Sequence, residues 1–178
     1  MNIVTDEALK KKYNKLYKKF IKGDFLEVIK ECNKILKKRK HQLFFNLLSF
    51  AYQKSGKIEK SIDIMREALA LNPNHPNFLN NIGTCFYMLH KYSEAEKYFK
   101  KGLEIDNKHL HILNNLGNLK RETSKIEDSI EYYKKVVGSQ SDEDPALFIL
   151  VDIYRIKNKK ENLKQLCKKI LELNKKFT

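Results

Sequence analysis

Tryptophan is absent, and proline occurs only three times and glycine six times in 178 residues. A chain this poor in turn formers does not build a β-sandwich or a glycine-rich nucleotide-binding fold. Cysteine also occurs three times, at Cys32, Cys85 and Cys167, with no C-x-x-C spacing. An odd, scattered set fits neither a disulfide framework nor a zinc site, and reduced thiols in a cytoplasmic protein are expected. The longest strictly apolar run is six residues, Ala146 to Val151, where roughly 20 are needed to span a bilayer. The N-terminal stretch MNIVTDEALKKKYNKLYKKF lacks the apolar core of a signal peptide.

Catalytic signatures are missing as well. No G-x-S-x-G, HExxH, P-loop or G-x-G-x-x-G occurs. His109 and His111 lie two apart and would point to different sides of a helix, as surface or loop residues. The run Ser141-Asp142-Glu143-Asp144 lacks the alternating ligands and glycine of a calcium loop and is expected to cap a helix at Asp144-Pro145. The three cysteines fall at positions expected to be packed and inert. The sequence therefore offers no catalytic residue, metal ligand, cofactor site or small-molecule substrate site.

What is present is a folded helical composition, 42% hydrophobic and 33% charged, with a net charge of +14. The charge is polarised. Residues 1–41 carry 13 basic and 5 acidic groups, and residues 144–178 carry 9 and 4, while the middle is nearly neutral. Clusters such as Lys37-Lys38-Arg39-Lys40 sit at the ends, without the aromatic-basic interleaving of a nucleic-acid surface. Solvated caps are the plain reading, with attraction to an acidic protein or an anionic membrane next.

A repeat organises the chain. Aligned on Gly23, Gly56, His90, Ser124 and Asn158, the spacings are 33, 34, 34 and 34. Each of these residues is placed in a tight turn between two amphipathic segments. Behind the turn, the columns Val28/Ser61/Ala95/Ser129/Leu163, Cys32/Met65/Phe99/Tyr133/Cys167 and Ile35/Ala68/Gly102/Val136/Ile170 recur at helical intervals. Ahead of it, Leu79-Ile82-Gly83-Phe86 is matched by Leu113-Leu116-Gly117-Lys120, Phe45-Leu48-Ser49-Tyr52 and Leu147-Leu150-Val151-Tyr154. Glycine is about 1 kcal/mol worse than alanine inside a helix. Its return at Gly83 and Gly117 predicts close approach by the bulky column, Phe99 and Tyr133. In the first repeat only three residues separate Phe20 from Gly23, against four elsewhere, which predicts a shortened or re-registered turn.

The segment LNNIGTCFYMLHKYSEAEKYFKKGLEIDN resembles the tetratricopeptide repeat: L-x2-I-G-x2-F, then A-x3-F, then the L-x-I-D-N exit, with Pro73 as the exit proline of the preceding repeat. The resemblance implies an all-α fold, a right-handed α-solenoid of about five helix-turn-helix repeats in one domain over 1–178. The repeats are 5–41 (degenerate), 42–75, 76–109, 110–143 and 144–178 (capping). First helices would line the inner face, and the lysines Lys164, Lys168, Lys169 and Lys175 would shield the last helix.

Such a scaffold binds proteins, and its inner wall would hold an extended peptide segment. The residues expected there are Asn80, Asn81, Thr84, Tyr87, Met88, Asn114, Asn115, Asn118 and Arg121, with Phe50, Phe148 and Arg155 around them. An amide both donates and accepts, so a row of asparagines can bond a peptide backbone regardless of its side chains. HILNNLGNLKRETSKIEDSIEYYKK is similar to the repeat arm of O-linked N-acetylglucosamine transferases, which implies Asn81 and Asn115 as rungs; Leu47 and Ile149 interrupt the row. Asn14 and Lys18 match part of the family's carboxylate clamp, but Leu47 replaces its amide. The alternative functions are a substrate-recruiting arm for a glycosyl- or sulfotransferase and a basic nucleic-acid-binding solenoid. The charge distribution argues against the latter. Partner identity and oligomeric state are not encoded legibly.

Overall fold

The structure, a computed structural model, describes residues 3–137 and 145–174. Among the described residues there are ten helices and no strand. They are α1 (Ile3–Ile21), α2 (Phe25–Lys38), α3 (Gln42–Lys54), α4 (Ile58–Leu71), α5 (Pro76–Met88), α6 (Tyr92–Ile105), α7 (Leu110–Glu122), α8 (Ile126–Val136), α9 (Pro145–Ile156) and α10 (Lys160–Asn174). The fold is an all-α helical repeat in two compact units, Met1–Ile105 with α1 to α6 and Asp106–Thr178 with α7 to α10. In the first unit α3 packs against α1, α2, α4 and α5. The stretch Ser141 to Asp144 lies outside the described residues, while Pro145 opens α9, where its missing N–H leaves no helix bond unmade.

One turn closes every pair. Gly23, Gly56, His90, Ser124 and Asn158 all adopt positive φ, of 88°, 72°, 57°, 59° and 51°. At the second turn the N–H of Gly56 donates to the Gln53 carbonyl (3.0 Å) and that of Lys57 to Tyr52 (2.9 Å). The same two bonds recur at His90/Lys91, Ser124/Lys125 and Asn158/Lys159. They satisfy carbonyls that a helix end would otherwise leave bare. The second helix then starts two residues after the left-handed one, at Phe25, Ile58, Tyr92, Ile126 and Lys160.

The first turn is re-registered rather than shortened. Gly23 donates to Phe20 (3.0 Å) and Asp24 to Lys19 (3.1 Å), the standard pair of bonds. What moves is the aromatic. Lys19 takes the place held by Tyr52, Phe86 and Tyr154 elsewhere, and Phe20, one residue on, packs against Phe25 at 5.4 Å between ring centroids.

The bulky columns are buried where the repeat pattern places them. Val28, Cys32, Met65, Ala95 and Phe99 are sealed in the first unit, and Ser129, Tyr133 and Val136 in the second. A Cβ on Gly83 would lie 2.6 Å from Phe99 Cδ1 and Cε1, and one on Gly117 would lie 2.6 Å from Tyr133 Cε1. Both glycines are there because an aromatic ring lies flat on the helix backbone. In the second repeat, serines take the two close-approach positions. Ser49 and Ser61 are buried with hydroxyls 2.6 Å apart, joined by Gln53 Nε2 (3.2 Å to Ser49 Oγ) and by Cys85 Sγ (3.3 Å to Ser61 Oγ).

Cys167 departs from its column. It is exposed, whereas Cys32 and Cys85 are buried. The physical reason is position: α10 packs on α9, and among the described residues no eleventh helix covers its far side. Lys164 and Lys168 are exposed, as a terminal helix requires.

Candidate functional site

In the first unit the first helices α1, α3 and α5 stand side by side with α3 in the middle. Counting back from the left-handed turn residue gives equivalent positions on each. Six residues back are Tyr17, Phe50 and Thr84; two back are Ile21, Lys54 and Met88. Tyr17 is 46% exposed, Phe50 41% and Met88 44%. Large apolar side chains are thus held in water on one wall while the opposite faces of the same helices form the core. Tyr87 is half-buried and meets Tyr92 at 5.6 Å between ring centroids. Thr84 donates its hydroxyl to the Asn80 carbonyl (3.0 Å), a local bond along α5.

Electrostatics distinguish this wall. α3 and α5 contain no carboxylate, and Lys54 is their sole charged residue; the acids of these repeats, such as Glu59, Asp63 and Glu94, lie on second helices. The α3 and α5 part of the wall is amide-rich, aromatic and almost uncharged, whereas α1 is lysine-rich.

Asn81 is not on the solvent side, where the sequence pattern places it. It is 7% exposed, and its Nδ2 donates to Asn46 Oδ1 (3.0 Å) and lies 3.7 Å from Met65 Sδ. The amide ties α5 to the preceding repeat. Its Oδ1 accepts no hydrogen bond among the described residues and remains available. Asn46 was missed by the sequence reasoning, although Asn46, Asn80 and Asn114 recur at 34-residue steps ten residues before each turn.

The remaining expected site residues belong to the second unit. Asn114 and Asn115 are half-buried on α7, and Arg121 is exposed near its end. Asn118 Oδ1 accepts the hydroxyl of the buried Tyr133 (2.8 Å), so half of this amide serves packing. On α9, Phe148 and Arg155 are exposed. The structure therefore gathers Phe50, Asn80, Asn81, Thr84, Tyr87 and Met88 in one unit and the other six in the second.

Burial pushes the Cys32 thiol up to about 12 and raises that of Cys85, so neither supplies a thiolate. Among the described residues no cluster of His, Cys, Asp or Glu is arranged to hold a metal. Nor is any helix among them long and apolar enough to cross a membrane. His75 stacks on Phe78 at 4.0 Å, its Nε2 donates to Gln42 Oε1 (3.2 Å), and its buried Nδ1 has no partner. Desolvation lowers its pKa. It splices the second repeat to the third.

Models of the tetratricopeptide repeat match residues 42–108 and 110–143, together more than half of the sequence. The chain belongs to the tetratricopeptide-repeat family. Its turns, its glycine-aromatic contacts and its paired helices are those of a repeat scaffold for protein interaction. Comparison with curated proteins returns no match. Among solved structures, MamA superposes with a TM-score of 0.69 at 20% identity, covering 89% of this chain and 94% of its own. PilF of Pseudomonas aeruginosa gives 0.77 at 17%, covering 94% and 77%. The first tetratricopeptide domain of Spaghetti, bound to the HSP90 peptide SRMEEVD, gives 0.60 at 19%, covering 65% and 94%. At these identities the likeness is one of fold.

Proposed function

We propose that this chain is a non-catalytic protein-interaction scaffold whose wall of α1, α3 and α5 holds an extended segment of another protein. The observation that carries this is the exposure of Tyr17, Phe50 and Met88 on first helices that also pack into the core. Rigid aromatic and thioether side chains on a preorganised surface make good anchors. Asn81 Oδ1 stands ready to accept a backbone N–H from the guest, and Asn46 holds it in place. Lacking carboxylates, α3 and α5 neither repel nor demand charge along the guest. In the second unit Asn115, Arg121, Phe148 and Arg155 offer amide, apolar and cationic contacts of their own. The Spaghetti domain shows that a fold of this kind can hold a peptide. Free buried thiols and the exposed Cys167 suit a reducing, cytoplasmic setting.

The test is to pan a displayed random-peptide library on the full chain and to titrate the enriched sequences. Phe50→Ala with Met88→Ser should weaken them about tenfold or more, roughly 1.4 kcal/mol, while far-UV circular dichroism stays unchanged. Enriched peptides that bind the double variant as tightly as the parent would remove the wall from the account.

A further inference from the structure

A second surface lies between α1 and α2, away from the aromatic wall. There a cavity of 180 Å³ is lined by Leu9, Lys12, Lys34, Ile35, Lys38 and Arg39. Its floor is apolar, with Ile35 buried and Leu9 half-buried, and its rim is cationic. The lining contains no carboxylate. Of the nearby acids, Glu7 pairs with Lys11 at 3.5 Å and Glu27 with Lys19 close to the turn, while Glu31, one turn before Lys34 on α2, lies outside the lining. Among the described residues Lys12, Lys34 and Lys38 form no ion pair.

The fold does not account for this cluster. The C-terminal dipole of α2 favours Lys37 and Lys38 in its last turn. It gives no reason for Lys34 one turn earlier, nor for Lys12 on the facing helix. Like charges set across a cleft repel one another. Bringing them together over an apolar floor makes sense when a negatively charged guest neutralises them.

We propose that this cleft docks an acidic protein segment, with carboxylates on Lys12, Lys34 and Lys38 and one apolar side chain inserted over Leu9 and Ile35. The floor selects among anionic partners. Ile35 is recessed and cannot reach the plane of a lipid surface, and a phosphate backbone has no apolar side chain to fill the cavity. An acidic segment carrying a single leucine supplies both parts. The site is independent of the aromatic wall, so either can stand without the other.

The probe is a fluorescein-labelled dodecapeptide of glutamates with one central leucine, titrated against the full chain by fluorescence polarisation. Three comparison arms are the same peptide with glycine for the leucine, phosphatidylserine vesicles, and a single-stranded oligonucleotide. The leucine peptide should bind, weaken as salt rises from about 0.15 M to about 1 M, and lose about tenfold or more in affinity with K12Q/K34Q/K38Q. K12R/K34R/K38R should retain it, and Phe50→Ala should leave it unchanged. These lysines are exposed, and circular dichroism checks that the fold survives. No binding of the leucine peptide, equal binding of the glycine peptide, equal binding by the glutamine variant, or lysine-dependent binding of vesicles or oligonucleotide in its place would each overturn the proposal.

Discussion

Replacing Gly83 by alanine sets two effects of opposite sign against each other. In the helix interior alanine is better than glycine by about 1 kcal/mol. Against this, the new methyl would lie 2.6 Å from two carbons of the Phe99 ring and 3.1 Å from a third. Ordinary carbon contacts are about 3.5–4.0 Å, so the ring has to retreat by roughly 1 Å. Phe99 is fully buried, and a flat ring pressed by its face cannot evade by a small torsion. Overpacking of this kind costs about 1–3 kcal/mol, and the contact of two ring atoms argues for the upper part of that range. The net expectation is a loss of about 1–2 kcal/mol, read as a lower urea midpoint by circular dichroism. The partner is testable in the same assay. Phe99→Leu alone opens a cavity, but combined with Gly83→Ala it gives the methyl room, so the double variant should lose less than the two singles together by about 1 kcal/mol or more. A neutral or stabilised Gly83→Ala with additive energies would show that the ring does not explain the glycine.

Other consequences are checked more simply. Ser124 adopts a φ of 59° on an exposed turn, so Ser124→Gly should raise stability by about 1 kcal/mol in urea unfolding. Ser61→Ala should destabilise by about 1–2 kcal/mol in the same assay, because the buried Ser49 hydroxyl and the Gln53 amide lose a partner. In native protein Ellman's reagent should titrate Cys167 alone, with Cys32 and Cys85 reacting only after unfolding. His75 has a pKa below its ordinary 6.5 because burial disfavours the charged ring. The unfolded chain therefore takes up the proton first. Stability from this group is complete above 6.5 and falls as pH drops toward the lowered value. His75→Phe, which keeps the stack on Phe78, should flatten that part of the curve of urea midpoint against pH.

What could be anticipated from the sequence was whatever repeats at a fixed phase. The turn column is the clearest case: Gly23 and Gly56 suggest the left-handed conformation, and the period transfers it to His90, Ser124 and Asn158, residues that would not suggest it alone. Phase also joined Gly83 to Phe99 and Gly117 to Tyr133 before any contact was visible. Phase fails where one copy deviates. At Lys19 and Phe20 the aromatic spacing leaves a shortened and a re-registered turn open, and only the backbone bonds, which count residues, decide for the second. It fails again where a column runs out of neighbours, as at Cys167. Most instructive is Asn81. A helical wheel assigns it a face but not a partner, and an asparagine beside a groove satisfies the same pattern whether it meets water or another amide. Asn46, 35 residues away, decides the matter by taking the N–H, which leaves the carbonyl oxygen of Asn81 as its remaining polar handle. In the proposed function, binding by the wall then rests on its aromatic and thioether side chains more than on a row of amides, and Phe50 and Met88 become the positions whose loss a guest should feel first.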